Sequence, residues 1–445
     1  MVNQQNTAAP AERPRPAIVG HLRVESRGDT TGQPMKPSRL VLTTLFLLAL
    51  ALSAQGCGLA TQLWPQPTAT ATTLPTAMAT PTDMPTASPT ITPTSTPLPT
   101  PTPIPTPAAA LVHGPYLQSV TTSSVIVVWD TNLPSAGEVA YGESADYTYR
   151  LDDPAAGVRH AVTLTNLAPY TFYHYRIQTL GWPLSEDFTF RTAADPSQTS
   201  FTFAVFGDTR TGHEVHRSVI DRLVALAPDF ALHTGDLVGD GLLASEWARF
   251  LTIEAPLMAR APLFPTLGNH EAEGPLYFDT FYLPGNEHWY TFDYGNARFV
   301  CVDVDGYAHF GTASEQYAWL EATLAANTQP WLFVYLHVPP YSSVAEDSFE
   351  VAVRQSLTPL FERTGVDAVF AGHHHNYQRS IVNGITYLIA GGGGAELYNV
   401  THPAPELITY RNVHHVMLFH VSGDTLTAEA MTPEGEVFDQ FSLTP

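Results

Sequence analysis

Between residues 200 and 376 the chain repeats one device five times: an apolar run of strand length breaks off into a side chain with a lone pair to offer. Residues 202–206 end in Gly207-Asp208, residues 229–234 in Gly235-Asp236, and residues 263–267 in Gly268-Asn269-His270-Glu271. Residues 331–336 deliver His337, and residues 366–370 lead into Gly372-His373-His374-His375. Short apolar runs of this kind read as buried strands, and helical patterns at 214–227 and 314–326 fall between them, which argues for an α/β fold. In such folds ligands collect beyond the strand C-termini. A single Gly-Asp pair is ordinary turn chemistry. Five strand ends carrying two carboxylates, a carboxamide and three imidazoles are a nitrogen–oxygen donor set, suited to Zn, Fe or Mn rather than to a thiolate metal.

Residues 111–193 have a different texture. Runs at 124–129, 138–142 and 161–164 alternate or are β-branched and are separated by turns, the pattern of a β-sandwich. In 167–177 the period of two places Tyr173, Tyr175 and Ile177 on one face, and His174 on the other, where a structural or exposed role is expected. This segment resembles a fibronectin type III domain. Strand patterns return at 416–421 and 425–430.

The order and spacing of the five strand-end motifs resemble the calcineurin-like metallophosphoesterase superfamily, and residues 111–445 as a whole resemble the purple acid phosphatases. The resemblance implies a two-sheet α/β sandwich over 200–445 behind the fibronectin-like domain. It also implies two divalent or trivalent metal ions, Fe, Zn or Mn: Asp208, Asp236 and His375 at the first, and Asp236, Asn269, His337 and His373 at the second, with Asp236 bridging. His270 would act on the phosphoryl or leaving oxygen as an acid or charge stabiliser. The implied reaction is hydrolysis of phosphate monoesters, with a phosphodiesterase or nucleotidase, or a surface binding protein with a degraded site, as the alternatives.

The chain departs from the pattern in three places. Gly239 stands where purple acid phosphatases carry a ligating tyrosine, and Arg210 stands where many relatives carry the histidine of Asp-x-His. Water, substrate or a donor such as His213 is then left to complete the first ion's shell, while Arg210 either grips phosphate oxygens or pairs with Asp208. No histidine lies between residues 338 and 371, so leaving-group protonation falls to His270, Glu346 or Asp347. His374 is expected beside the site or exposed, Tyr377 and Arg379 to brace it, and the glycines at 391–394 to form a tight turn near it. His414 and His415 lie within reach of the cleft or outside it.

The rest of the chain speaks of location. Residues 40–52 are an apolar run behind Lys36 and Arg39, followed by Gly56-Cys57, the layout of an export signal ending in a lipoprotein-like cysteine. Residues 35–57 are therefore expected to be a signal peptide, lipidated at Cys57, cleaved in the ordinary way or kept as an uncleaved anchor, with translation starting at Met35 and residues 1–34 outside the native start. Residues 58–110 hold thirteen of the 38 prolines, mostly in Thr-Pro repeats. Such a tract cannot bury a core and serves as a semi-rigid stalk on the order of 100 Å long, at about 3.1 Å per residue. An extracytoplasmic protein, secreted or anchored at the cell surface, is expected. With 42 acidic against 20 basic residues the net charge is −22, which argues against a nucleic-acid polymer as partner and leaves a small phosphorylated substrate, the membrane being touched only through the N-terminal anchor. Two cysteines build no disulfide framework, and Cys301 reads as a buried strand thiol.

Overall fold

The computed structural model describes residues 109–344 and 348–445. The export segment, Cys57 and the Thr-Pro tract lie outside these residues, as do Glu346 and Asp347. Among the described residues no helix is long and apolar enough to cross a membrane.

The N-terminal part is all β: β1 (Leu111–Gln118), β2 (Ser124–Gly142), β3 (Tyr149–Thr165), β4 (Phe172–Thr179), β5 (Trp182–Pro183) and β6 (Phe188–Arg191). The first half of β2 pairs with β1 and β3, and its second half with β3 and β4, with register shifts between Asp130, Ser135 and Gly137. The runs read separately at 124–129 and 138–142 are thus two halves of one bulged strand. Alternation reveals each run, but only cross-strand pairing reveals the continuity through a bulge. Tyr173, Tyr175 and Ile177 are buried together as expected. His174 finds a carboxylate far along the chain, its Nδ1 lying 2.8 Å from Asp187 Oδ2.

The C-terminal part holds two sheets. The first has the order β19-β18-β17-β7-β8-β9, formed by β7 (Ser200–Phe206), β8 (Phe230–His233), β9 (Leu263–Pro265), β17 (Val416–Ser422), β18 (Thr425–Met431) and β19 (Val437–Leu443). The second has the order β10-β11-β12-β13-β15-β14-β16. Its strands are β10 (Tyr290–Tyr294), β11 (Ala297–Cys301), β12 (Trp331–Tyr335), β13 (Ala368–Ala371), β14 (Tyr377–Val382), β15 (Ile385–Ala390) and β16 (Leu407–Arg411). The helices are α1 (His213–Leu226), α2 (Ala244–Met258), α3 (Pro275–Thr280), α4 (Tyr307–Phe310), α5 (Glu315–Ala325) and α6 (Ser348–Thr364).

The sheets meet through phenylalanines at alternate positions. Phe203 of β7 lies 5.1 Å from Phe299 of β11, 5.8 Å from Phe333 of β12 and 5.9 Å from Phe370 of β13, ring centre to ring centre. Their neighbours Val300, Val334 and Val369 point the other way and are covered by Leu320 and Leu324 of α5 and by Leu357 and Leu360 of α6. Both faces are apolar, which is why these strands show continuous hydrophobic runs rather than alternation. The expected two-sheet α/β sandwich is borne out, with Cys301 buried between its layers and its thiol pushed up to about 12 by burial. The N-terminal strands sit against the C-terminal ends of α2 and α3: Tyr175 OH donates to Ala259 O at 2.7 Å and Tyr116 OH to Thr280 O at 2.9 Å.

Candidate metal centre

The strand ends converge because their turns interlock. Asp208, Asp236 and His373 all adopt the left-handed backbone region, with φ of 56°, 56° and 67°. Each follows a glycine that ends an apolar run, and such backbone strain concentrates where a site holds it in place. Asp208 N donates to Gly235 O at 3.0 Å, and both Asp208 carboxylate oxygens accept from His373 N, at 3.1 and 3.0 Å. The approach tolerates no side chain at the glycines: a Cβ on Gly372 would stand 2.5 Å from Asp208 Oδ2, and one on Gly268 2.4 Å from Asp236 N.

Ligand atoms of Asp208, Asp236 and His337 lie within 4.8 Å of one another, and Asn269 and His373 close on His337 from the other side. His337 Nε2 lies 3.2 Å from Asn269 Oδ1 and 3.4 Å from Asp236 Oδ1, and His373 Nδ1 lies 3.1 Å from Asn269 Oδ1 and 3.3 Å from His337 Nε2. His337 Nδ1 donates to Thr234 O at 2.8 Å, so its Nε2 presents a lone pair to the cluster. Carboxylate, carboxamide and imidazole atoms, all of ligand type, are thus linked by separations of 3.1–3.4 Å. Donors placed tetrahedrally around zinc, at bond lengths of about 2.0–2.1 Å, lie roughly 3.3 Å apart, and these four separations match that spacing. Burial alone would raise Asp236, but His337, His270 and Arg210 hold its carboxyl below the usual range.

The other set is different. His375 Nδ1 donates to Glu396 O at 2.6 Å, and its Nε2 lies 3.4 Å from Asp208 Oδ1. Burial lowers His375 and Arg210 adds to that, but Asp208 and the bond to Glu396 O outweigh them and raise it. Arg210 stands beside the pair: Nη2 lies 3.4 Å from His375 Nε2, and Nε lies 3.2 Å from Asp236 Oδ2. Its carboxylate partner is Asp236, not Asp208. The guanidinium thus stands among the donors that the family resemblance assigns to the first ion, and that position does not fit a metal as it stands. His213, the alternative extra donor, bonds Arg249 Nη1 at 2.8 Å instead.

His270 is oriented by the very residue that stands in the tyrosine's place. Its Nδ1 donates to Gly239 O at 2.8 Å, leaving Nε2 in the cleft, 3.9 Å from Asp236 Oδ2. Glu271, its neighbour in the third motif, is fully buried and clamps two loops: Oε2 accepts from Gly268 N at 2.8 Å and Asp236 N at 2.9 Å, and Oε1 from Leu237 N at 2.9 Å and Val238 N at 3.3 Å. Sequence reasoning quoted Glu271 but gave it no task, because its partners are backbone groups of another motif. It also passed over Asp305, which follows the end of β11 as the other site residues follow theirs. Asp305 lines a cavity of about 280 Å³ with Asn269, His337, His373, Val338 and Phe349, and burial together with Asp303 and Glu273 pushes its carboxyl up to about 6.

Other expectations resolve locally. His374 is buried rather than exposed, with Nδ1 2.6 Å from Ser342 Oγ and Nε2 2.9 Å from Glu350 Oε1, and so ties the last motif to α6. Tyr377 and Arg379 brace the fold rather than the site: Tyr377 OH and Arg379 Nε bond Asp439 Oδ2 at 2.5 and 2.7 Å, joining β14 to β19. The glycine turn at 391–394 carries the Asp208 loop through Gly393 N to Gly207 O and Ala395 N to Asp208 O, each 2.9 Å. His414 bonds Gly392 O at 3.1 Å, and His415 is buried behind it.

A family model described as Calcineurin-like phosphoesterase matches residues 201–377, and one described as Purple acid Phosphatase, N-terminal domain matches residues 113–192. The chain is 31% identical over 284 residues to Probable purple acid phosphatase 20 of Arabidopsis thaliana, covering 58% of this chain and 64% of that protein, less than two thirds of its length. It is 29% identical over 323 residues to Nucleotide pyrophosphatase/phosphodiesterase of Hordeum vulgare, covering 58% of this chain and 87% of that one. The solved structure of a purple acid phosphatase from yellow lupin (Lupinus luteus) seeds shares the fold, with a TM-score of 0.67 at 22% identity over 76% of this chain and 74% of that chain. The chain thus joins a calcineurin-like phosphoesterase domain, over residues 201–377, to a purple acid phosphatase N-terminal domain, over residues 113–192, in a fold shared with a purple acid phosphatase.

Proposed function

We propose that the chain hydrolyses phosphate monoesters of small molecules in a metal-dependent reaction, with the ion held by Asp236, Asn269, His337 and His373. What carries this reading is the convergence of a carboxylate, a carboxamide oxygen and two imidazole nitrogens, at successive separations of 3.1–3.4 Å. A divalent or trivalent Fe, Zn or Mn ion bound there supplies Lewis acidity toward a phosphoryl oxygen and lowers the pKa of water. The chain's own groups supply the rest. His270, fixed through Nδ1 on Gly239 O, turns Nε2 to the cleft, where, as an imidazolium, it can give its Nε2 proton to the leaving oxygen and remain neutral. Arg210 presents guanidinium N–H groups beside Asp236, where they can meet phosphate oxygens. The cavity at His337 and His373, about 280 Å³ and walled by Val304, Val338 and Phe349, suits a small substrate. The net charge of −22 and the export-like N-terminus support an extracytoplasmic protein with no polymeric nucleic-acid partner.

The name of the barley relative supports a second reading within the same chemistry, a nucleotide phosphodiesterase or pyrophosphatase. Metal-stripped full-length protein, reconstituted separately with Mn, Fe and Zn, should be assayed on p-nitrophenyl phosphate, bis-p-nitrophenyl phosphate and nucleotides. Preference for the monoester supports the first reading, and preference for the diester or for nucleotides supports the second. Failure to cleave any ester with any metal removes both and leaves a binding role.

A further inference from the structure

Resting on the phosphoesterase reading, we propose that the site holds one metal ion rather than two, and that the Arg210 guanidinium is the resident cation among Asp208, Asp236 and His375.

Three observations carry this. The first is geometric: the guanidinium touches two of these three donors, with Nε 3.2 Å from Asp236 Oδ2 and Nη2 3.4 Å from His375 Nε2. Nε has no directed hydrogen-bond partner, so charge rather than linear geometry holds it to Asp236, as charge would hold an ion. The second is the donor count. Two carboxylates and one imidazole are all that Asp208, Asp236 and His375 offer, with Asp208 Oδ1 3.4 Å from His375 Nε2 and Asp236 already facing His337 Nε2 of the other cluster through Oδ1 at 3.4 Å. The third is anchoring. Arg210 N donates to Asp236 O at 3.3 Å, and the side chain is 18% exposed, so the guanidinium grows from the loop it serves and is largely enclosed there.

The chemistry follows from the exchange. A guanidinium keeps its charge at every working pH, needs no loading, and adds directed N–H donors that a metal lacks. It also opposes a second ion, since cations at close range repel where solvent is excluded. Asp236 would then serve both cations, its Oδ1 turned to His337 Nε2 and its Oδ2 to the guanidinium. A phosphoryl group would then be held between one ion and one arginine.

The test is a metal count. Full-length protein is stripped, loaded with excess Mn(II), freed of unbound ion, and analysed for Mn per chain and by electron paramagnetic resonance. The account expects about one Mn per chain with the spectrum of an isolated ion, and, in Arg210→His, about two per chain with the signature of a spin-coupled pair. Two coupled ions in the parent chain overturn the proposal while leaving the phosphoesterase reading in place. A folded Arg210→His protein that still takes up one ion overturns it as well. No bound Mn and no ester hydrolysis overturn the phosphoesterase reading, and this inference with it. The parent chain's own count decides the matter whatever Arg210→His does to folding.

Discussion

Replacing Glu271 with glutamine changes one oxygen to an amide nitrogen and nothing in volume, yet it should loosen the whole centre. The buried carboxylate receives four backbone N–H groups, two on each oxygen, between 2.8 and 3.3 Å. Glutamine can accept from two of them, and its NH₂ group then faces the other two, donor against donor. Hydrogen bonds to charged groups contribute about 1.5–3 kcal/mol each, and a buried orphan donor costs about 1–3 kcal/mol. Taking the low end for two lost bonds, because the loops can relax, gives a destabilisation of about 3 kcal/mol. At roughly 2–4 °C per kcal/mol, the metal-free protein should melt about 6–12 °C lower than its parent. Since Asp236 N and Gly268 N are among the released groups, metal affinity should fall about 10–100-fold, as it does when outer-shell partners are lost. Thermal unfolding in chelator and metal titration by calorimetry read the two effects separately. Burial and the Asp236 charge push Glu271 upward, against the four N–H donors. A Glu271→Gln protein that melts and binds metal like its parent would mean the carboxyl already carries a proton, and would refute the clamp.

The other expectations concern the reaction. His270→Ala should lower kcat about 10²–10⁴-fold while leaving metal content unchanged, because His270 offers no donor to the ion; loss of metal instead would count against its role as an acid. Asp305, protonated up to about pH 6, becomes anionic as pH rises through that value and then repels a phosphate dianion in the same cavity. KM should therefore rise above pH 6 in the parent and lose that rise in Asp305→Asn, and identical profiles would remove Asp305 from the substrate's surroundings. Stripping the metal should lower the melting temperature. An ion at a hundred times its Kd stabilises by about 2.7 kcal/mol, and a chelator that leaves the transition unmoved would argue that the lone-pair cluster is satisfied without it.

How much of this was legible in the chain depended on where each residue finds its partner. The strand ends were legible because an apolar run followed by glycine is a local pattern, and Asp208, Asp236, Asn269, His337, His373 and His375 stand just after such runs. The curvature of β2 was not, since a bulge between Asp130 and Gly137 shows only in the register against β3. Glu271 escaped because backbone N–H groups carry no residue identity for a reader of sequence. Tyr377 and Arg379 looked like companions of the last motif, but their partner Asp439 arrives on the final strand from the other sheet. Arg210 was visible as a departure from its relatives, while its choice of Asp236 over Asp208 follows from how two turns with the same φ nest together. The N-terminal signal and stalk remain statements about composition.

The central claim is that Asp236, Asn269, His337 and His373 enclose a metal ion. Anomalous diffraction from a crystal of the Zn- or Mn-loaded protein tests it most directly. The account predicts a peak bonded to Asp236 Oδ1, Asn269 Oδ1, His337 Nε2 and His373 Nδ1, at about 2.0–2.2 Å for zinc. A loaded crystal whose anomalous density lies elsewhere, with those four groups bonded only to protein or water, would contradict it.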